Sequence, residues 1–309
     1  MDPASEDWTR LRELVRQQLT ELPEDCRRLL HGRGGHFPKL EQVAIDWFQP
    51  VLLVTLYAES AVTAELLAMV VAEAESHPLI TTVIVQRRHL PGGPKECLFG
   101  KLPPDLVAQE SGLRFHLNLE RNQNHGFFLD MKPGRDWLRQ RATGKRVLNL
   151  FAYTCSLSVS AIAGGAESVV NLDMASSPLS TGRSNHQLNF DPTTCRRASY
   201  LAHNLFKSWG RLRRSGPFDL VVIDPPSRQA GSFVAERDYR KIVRNLPSIT
   251  HPGSEILACL NSPHLGEEFL QDEFSGFPCG GRLPGAPGFE DQRESASLKC
   301  LTFSTPTDH

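Results

Sequence analysis

The amino-acid sequence predicts an α/β fold in which a smaller mixed α/β domain precedes a larger domain built on a mostly parallel sheet. Beyond residue 131, short apolar strands alternate with segments of helical periodicity, which is the pattern of βαβ units. Before that point, apolar strands occur without this regular alternation. A chain of 309 residues has room for two domains, which we place at residues 1–130 and 131–309.

The composition is that of an ordinary globular protein and excludes several classes. Lys and Arg number 34 against 35 Asp and Glu, so the chain has no overall basic character. No apolar run reaches about 18 residues, and the acidic N-terminus lacks the apolar core of a secretory signal, so we expect a cytoplasmic protein without a membrane span. The seven cysteines form no CxxC and no Cys/His metal pattern, which predicts reduced thiols and no metal site.

The elements of the first domain follow from apolar spacing. Apolar residues at helical intervals predict a helix over 7–22, and an Ala, Leu and Val-rich segment predicts a second helix over 63–73. Continuous apolar runs predict buried strands over 51–57 and 81–85. Residues 113–119 alternate with period two and predict a half-buried strand.

The second domain is predicted in the same way. In chain order we expect a helix over 133–140, strands over 146–151 and 168–173, a helix over 179–189, a strand over 218–224, a helix over 239–246 and a strand over 255–260. The Gly- and Pro-rich residues 277–289 read as a loop.

Ligands of such a sheet bind at the carboxyl ends of the strands, where the strand order reverses. The turn after the strand 146–151 has no GxGxxG, so a dinucleotide cofactor is disfavoured. Asp173 ends the next strand, where a carboxylate can accept hydrogen bonds from two ribose hydroxyls. Acids end many strands, so Asp173 alone does not decide the ligand.

The sharpest local signal is the run Asp224, Pro225, Pro226 and Ser227 after a strongly apolar strand. Two prolines cannot continue a strand ladder, so the chain turns away and leaves a carboxylate and a backbone carbonyl at the strand end. These acceptors suit an amino group on a flat ring. An ordinary Asp-Pro-Pro turn is the alternative interpretation.

Several motifs in the same order resemble the class I S-adenosylmethionine-dependent methyltransferases, specifically the large-subunit ribosomal RNA methyltransferases of the RlmI and RlmK type. The resemblance runs over most of the chain. Its motifs are residues 31–35, 45–48, 126–132, 149–154 and 164–166, Asp173, Asn185 with Asn189, residues 224–227 and residues 298–299.

The resemblance implies S-adenosylmethionine as the cofactor, a Rossmann-like sheet with an antiparallel edge strand over 298–303, and RNA, ribosomal RNA above all, as the partner. The implied cofactor-binding residues are Phe128, Leu129, Asp130, Lys132, Arg135, Asn149, Phe151, Ala152, Tyr153, Thr154, Cys155, Ser156, Asp173, Met174, Asn189, Asn204 and Asp224. The implied catalytic set is Asp224, Pro225, Pro226 and Ser227.

Three positions depart from the family pattern. Cys155 stands where the family usually has Gly in a turn, and Asn204 stands where it usually has an acid facing the adenine amine. Asn261 occupies the place of the nucleophilic Cys of the cytosine-C5 enzymes, which disfavours a covalent route and favours direct transfer to a base nitrogen. Two alternatives stay open: a 5-methylcytosine-type enzyme that uses Cys259, and a decayed enzyme that only binds RNA or cofactor.

We assign the first domain, residues 1–130, to the RNA or substrate side. Further contacts to RNA are expected from arginines close to the Asp-Pro-Pro motif in sequence. The candidates are Arg211, Arg213, Arg214, Arg228 and Arg240. Arginines near a catalytic opening suit phosphate contacts, although a solvated or ion-paired helix face is the alternative. Phe233 and Tyr239 could stack on a base or belong to the core. The oligomeric state stays open.

Overall fold

The computed structural model describes residues 3–20, 22–60, 63–120, 124–226, 228–229, 233–293 and 297–307. The chain divides into two compact units. The first comprises Met1–Leu129 and Pro287–Arg293, and the second comprises Asp130–Ala286 and Glu294–His309. No helix within the described ranges is long and apolar enough to cross a membrane.

The first unit is a five-stranded sheet with two helices and a separate hairpin. Its elements are α1 (Pro3–Thr20), β1 (Arg27–His31), β2 (Val43–Phe48), β3 (Val51–Leu56), α2 (Thr63–Ser76), β4 (Thr82–Arg87), β5 (Lys95–Gly100), β6 (Val107–Glu110) and β7 (Leu113–His116). The sheet order is β1-β2-β3-β4-β5, and only the β3–β4 pair is parallel. Every residue of β2 and β3 is buried, so the core of this unit forms around these strands. β7 pairs only with β6 and is shorter than the predicted strand.

The second unit is a seven-stranded sheet flanked by helices. Its elements are α3 (Lys132–Arg141), β8 (Arg146–Leu150), α4 (Ser156–Ala163), β9 (Ser168–Asp173), α5 (Ser176–Asn189), α6 (Pro192–Cys195), β10 (Ala198–Ala202), α7 (Trp209–Ser215), β11 (Phe218–Ile223), β12 (Arg228–Gln229), β13 (Phe233–Val234), α8 (Ala235–Val243), β14 (Thr250–Leu260), α9 (Glu267–Glu273), β15 (Cys279–Arg282) and β16 (Lys299–Ser304). The sheet order is β10-β9-β8-β11-β14-β16-β15.

The predicted fold class is confirmed. Five neighbouring strands of this sheet run parallel, in the order β10, β9, β8, β11 and β14. β16 pairs antiparallel with both β14 and β15. The chain passes from β8 outward to β9 and β10 and then returns to β11 on the other side of β8. The order therefore reverses at β8, which places the turn after β8 where such sheets bind their ligands.

Two strands of this sheet were not predicted from the sequence. β10 was missed, because most of its residues are half-exposed or exposed and form no continuous apolar run. Residues 277–289 were assigned to a loop, whereas β15 lies within them and forms the edge of the sheet beyond β16. β15 is a largely exposed Cys-Gly-Gly-Arg segment, so its strand structure depends on backbone pairing with β16 and leaves no side-chain signal.

The turn between β8 and α4 has an unusual backbone. Three of its residues, Phe151, Tyr153 and Cys155, have φ values of 58°, 46° and 60°, in the left-handed region that favours glycine. Cys155 is fully buried, and its side chain lies against Gly182 of α5. A Cβ atom at Gly182 would overlap the Cys155 sulfur, so the glycine leaves the room that this cysteine needs.

Hydrogen bonds hold this strained turn in place. The backbone N–H of Tyr153 donates to Asp173 Oδ2 at 2.9 Å, and the buried side chain of Asn185 donates through Nδ2 to the Thr154 carbonyl at 2.9 Å. The Ala152 N–H donates to the Leu172 carbonyl at 3.1 Å. Residues in sparsely populated backbone regions persist only where their surroundings over-determine them, and these contacts supply that restraint.

A buried polar chain links the helices and strands beneath the turn. Asn149 Nδ2 donates to Asn171 Oδ1 at 3.0 Å, and Asn171 Nδ2 donates to Ser158 Oγ at 3.0 Å. Ser158 Oγ lies 2.9 Å from His186 Nε2, and His186 Nδ1 lies 2.8 Å from the Gly182 carbonyl. Since the carbonyl can only accept, Nδ1 carries a proton. Burial lowers the pKa of His186, so the imidazole is neutral at neutral pH and Nε2 accepts from Ser158.

The packing of Cys155 on Gly182 predicts a coupled pair of substitutions. Gly182→Ala should lower Tm by several degrees, because overpacking a filled site costs about 1–3 kcal/mol. In a Cys155→Gly background the same substitution should cost much less, since the obstructing sulfur is gone. Circular dichroism melts of the two single variants and the double variant measure this coupling. Additive changes in Tm would contradict the assigned packing.

The neutral His186 predicts a pH-dependent stability. Burial lowers its pKa from 6.5 to about 4 in the folded protein. The unfolded chain therefore binds more protons between these values, so the stabilisation is complete above pH 6.5 and is lost as the pH falls toward 4. Between pH 7 and 4.5 the wild type should lose about 2–3 kcal/mol more than His186→Gln, as measured by urea unfolding. Parallel stability curves for the two proteins would refute this assignment.

Candidate functional site

A pocket opens at the carboxyl end of β9, beside the strained turn. Residues that line it include Phe151, Asp173, Met174, Asn204, Phe206 and Phe233. Four of these, Phe151, Asp173, Met174 and Asn204, are among the residues that the sequence analysis predicted as cofactor contacts. The pocket combines one carboxylate and one amide with apolar and aromatic walls, which is the usual composition of a small-molecule site.

Asp173 is oriented by the backbone around it. Its Oδ2 accepts from the Tyr153 N–H and its Oδ1 accepts from the Ala175 N–H, both at 2.9 Å. Each carboxylate oxygen has a second acceptor position, so the group can still accept two further hydrogen bonds. A pair of neighbouring hydroxyl groups, as on a ribose, would satisfy both oxygens at once.

Asn204 presents a different group to the pocket from the one we expected. Its Oδ1 accepts from the Phe206 N–H at 2.9 Å, which fixes the amide orientation because a backbone N–H requires an acceptor. The Nδ2 group then lies 3.7 Å from the Met174 sulfur. The side chain therefore turns a donor toward this side of the pocket, whereas we expected an acceptor for an adenine amine. Met174 itself is 46% exposed and offers an apolar surface for a flat ring.

Asp224 follows β11 and is half-buried. Burial and the nearby charge of Asp130 raise its pKa to about 7, while Arg135 opposes the shift. Beneath it, the fully buried Tyr239 hydroxyl lies 2.8 Å from the Cys259 carbonyl and 3.3 Å from the Ile223 carbonyl. These contacts hold the carboxyl ends of β11 and β14 together. The backbone that bears Asp224 is therefore fixed by Tyr239.

The rest of the predicted catalytic run is partly described. Pro225 is buried and Pro226 is exposed, while Ser227 lies outside the described residues.

Three of the predicted cofactor residues differ in burial. Phe128 is 44% exposed and Leu129 is buried, whereas Arg135 is almost fully buried in the second unit.

Other predicted cofactor residues build the turn or lie away from the pocket. Ala152, Thr154 and Cys155 are buried within the turn, and Ser156 begins α4. One expectation needs correction, that for Asn149. Asn149 is fully buried in the polar chain and cannot contact a ligand. Asn189 donates to the Asn185 carbonyl at 2.7 Å, Lys132 pairs with Asp136 at 3.0 Å, and neither is among the residues that line the pocket.

The structure gives no support to a nucleophilic Cys259. Its side chain is fully buried, with its sulfur 3.6 Å from that of Cys300, in the apolar cluster that includes residues of α3 and α4. Burial raises the pKa of the Cys259 thiol well above its usual value, and the thiolate is the nucleophilic form. Tyr239 is fully buried in the core, so it cannot stack on an RNA base. Phe233 is also a core residue, although it lines the pocket.

The arginines predicted to bind RNA differ in their surroundings. Arg211, Arg213 and Arg214 are exposed on α7 and form no ion pair with any described residue. Arg240 of α8 pairs with Glu273 at 3.3 Å. The side chain of Arg228 lies outside the described residues, although its backbone is part of β12.

Two kinds of residue that build the site were not predicted from the sequence. Gly182 and His186 act through packing and hydrogen bonds beneath the turn, and a single sequence contains no signal for such partners. Phe206 lines the pocket and donates its N–H to Asn204. An aromatic residue close after a strand could have suggested a ring-binding wall, but β10 itself was missed.

The chain is similar in sequence to methyltransferases along most of its length. The family model of S-adenosylmethionine-dependent methyltransferases matches residues 27–304. A ribosomal RNA large subunit methyltransferase of Deinococcus radiodurans is 30% identical over 271 residues, which are 84% of this chain and 65% of that protein. The chain thus covers less than two thirds of that relative.

Solved structures agree on the fold. A S-adenosylmethionine-dependent methyltransferase from Streptococcus mutans matches with a TM-score of 0.80 at 23% identity, over 96% of this chain and 81% of that one. A methyltransferase structure with bound S-adenosylhomocysteine matches with a TM-score of 0.77 at 24% identity, over 97% and 80% of the two chains. Because the family model matches well over half of the sequence, the chain belongs to the S-adenosylmethionine-dependent methyltransferase family.

Proposed function

We propose that this chain transfers a methyl group from S-adenosylmethionine directly to a nitrogen of an RNA base, with ribosomal RNA as the substrate, in the cytoplasm. The name of the Deinococcus relative supports the substrate class. The observation that carries the reaction type is Asp224, a half-buried carboxylate at the end of β11 whose pKa is raised to about 7.

The pocket residues fit S-adenosylmethionine. Asp173 has acceptor positions for both ribose hydroxyls, and Met174 and Phe206 offer apolar surface to a purine. Asn204 would donate from Nδ2 to a ring nitrogen of that purine, because its oxygen is held by the Phe206 N–H. The strained turn brings Phe151 to the same pocket.

S-adenosylmethionine supplies a methyl group bound to a cationic sulfur, and this sulfur is the leaving group when the methyl group is transferred. The protein therefore has mainly to align the acceptor nitrogen with that methyl group. The carboxylate of Asp224 and the Pro225 carbonyl accept hydrogen bonds from the amine and so direct its lone pair. With a pKa of about 7, Asp224 can also accept the proton that the methylated nitrogen loses.

The alternatives receive less support. A covalent route through Cys259 requires a thiolate that burial disfavours. A protein that only binds RNA or cofactor would not need an acceptor carboxylate with a raised pKa. For RNA contacts in the second unit, Arg211, Arg213 and Arg214 remain our candidates, while the ion pair with Glu273 makes Arg240 a weaker one.

The function is tested by transfer of a tritiated methyl group to ribosomal RNA from cells that lack this protein. We expect transfer by the wild type and a loss on the order of 100-fold in Asp224→Asn, because the amide keeps the shape but loses the accepting charge. Since the carboxylate is the active form, kcat/KM of the wild type should rise with pH and level off above about 7.

Two control variants make this test specific. Asp272→Asn removes an exposed carboxylate on α9 and should leave the rate unchanged. Cys259→Ala should retain transfer, whereas the covalent alternative requires its loss. Wild-type protein that binds S-adenosylmethionine but methylates no RNA would contradict the proposed function.

A further inference from the structure

We propose that the first unit carries an RNA-contact surface formed by Arg33, Tyr57 and Arg88, which we call the arginine–tyrosine cluster. It would bind the phosphate backbone of a single-stranded segment and stack one of its bases. This inference rests on the proposed action on RNA. It concerns a part of the chain to which the methyl-transfer site assigns no role.

Arg33 is presented by a rigid turn. Gly32 and Gly34 on either side of it are buried, and a Cβ atom on either would overlap the backbone of the segment packed against it. These glycines let the short 3₁₀ turn of residues 32–34 pack closely, so that Arg33 alone projects outward and is exposed. Its guanidinium carbon lies 4.3 Å from the centre of the Tyr57 ring. The motif of residues 31–35 thus holds the exposed Arg33 against the ring of Tyr57.

Arg88 approaches the same ring from another element. It follows β4, and its guanidinium carbon lies 6.0 Å from the centre of the Tyr57 ring. Its Nη2 donates to Asn124 Oδ1 at 3.0 Å, which orients the side chain. Lys95 of β5 adds positive charge nearby: burial and the charge of Arg88 lower the pKa of Lys95.

The two arginines of the cluster differ from neighbouring cationic residues in their pairing. Glu59 lies close by, but it pairs with Arg87 at 3.5 Å and with His89 at 3.6 Å. Arg28 of β1 pairs with Asp46 at 2.8 Å, and Arg87 pairs with Glu96 at 3.0 Å. Arg33 and Arg88 form no ion pair with any residue that the structure describes, although Arg88 is next to Arg87 in the chain. Two uncompensated guanidinium groups beside one ring repel each other, and a bound polyanion would relieve that repulsion.

The chemistry of this cluster matches RNA better than a simple anion. A guanidinium group contacts phosphate oxygens in a fork, and its flat face can stack on a base. A base placed on Arg33 would continue the stack that Arg33 forms with Tyr57. Cationic side chains provide affinity without sequence specificity, and aromatic stacking favours unpaired bases.

The test is the fluorescence anisotropy of a fluorescein-labelled single-stranded oligoribonucleotide of about 20 nucleotides, titrated with the full chain at several salt concentrations. Arg33→Gln with Arg88→Gln should weaken binding on the order of tenfold. The slope of log K against log salt should fall by about 1.4, which corresponds to two lost phosphate contacts on a single strand. Tyr57→Leu should weaken binding, whereas Tyr57→Phe, which keeps the ring, should not.

Arg87→Gln is the matched control, because it removes the neighbouring arginine that already pairs with Glu96. It should change the affinity by less than about twofold. Equal binding by the wild type and the double variant, or an equal loss in Arg87→Gln, would overturn the proposal, and so would wild-type protein that does not bind the oligonucleotide. Cluster-dependent binding without methyl transfer to any RNA would instead support this surface and contradict the proposed function.

Discussion

The structure of the second unit depends on one constraint, the left-handed turn that follows β8. Three non-glycine residues, Phe151, Tyr153 and Cys155, are kept in a backbone region that such residues rarely adopt. The cost is offset by hydrogen bonds from two directions. Asp173 accepts from Tyr153 at the end of β9, and Asn185 donates to the turn from α5. The strained turn lies where the strand order reverses, so the strain coincides with the candidate site.

This arrangement connects stability with function. Asp173 restrains the turn and also lines the pocket, so its carboxylate is oriented before any ligand arrives. Beneath the turn, the hydrogen bonds of Ser158 and His186 tie α4 to α5, and burial keeps the imidazole neutral at neutral pH. At the neighbouring strand end, Tyr239 holds β11 and β14 together below Asp224. Pre-oriented groups of this kind are what alignment of a methyl group with its acceptor requires.

Strands and site residues that a local pattern marks could be predicted from the sequence. Those that depend on partners far away in the chain could not. The strands β9 and β11 were identified in their order, together with Asp173, which ends β9, and Asp224, which follows β11. β10 and β15 were missed because neither contains an apolar run and both are held by pairing with neighbouring strands. The motif position of Asn149 suggested a ligand contact, but its strand turns it into the buried polar chain. Asn204 lines the pocket, and the orientation of its amide depends on the Phe206 N–H, which the sequence does not show.

The most direct test of this account is isothermal titration of the purified chain with S-adenosylmethionine, in wild-type and Asp173→Ala forms. The account predicts a Kd on the order of micromolar for the wild type and an affinity about 10- to 100-fold lower for the variant, which loses both the ribose acceptor and the restraint on the turn. Asp191→Ala, which removes an exposed carboxylate that caps α6, should bind like the wild type. Equal affinities for the wild type and Asp173→Ala would contradict the claim that this turn and its acid form the cofactor site.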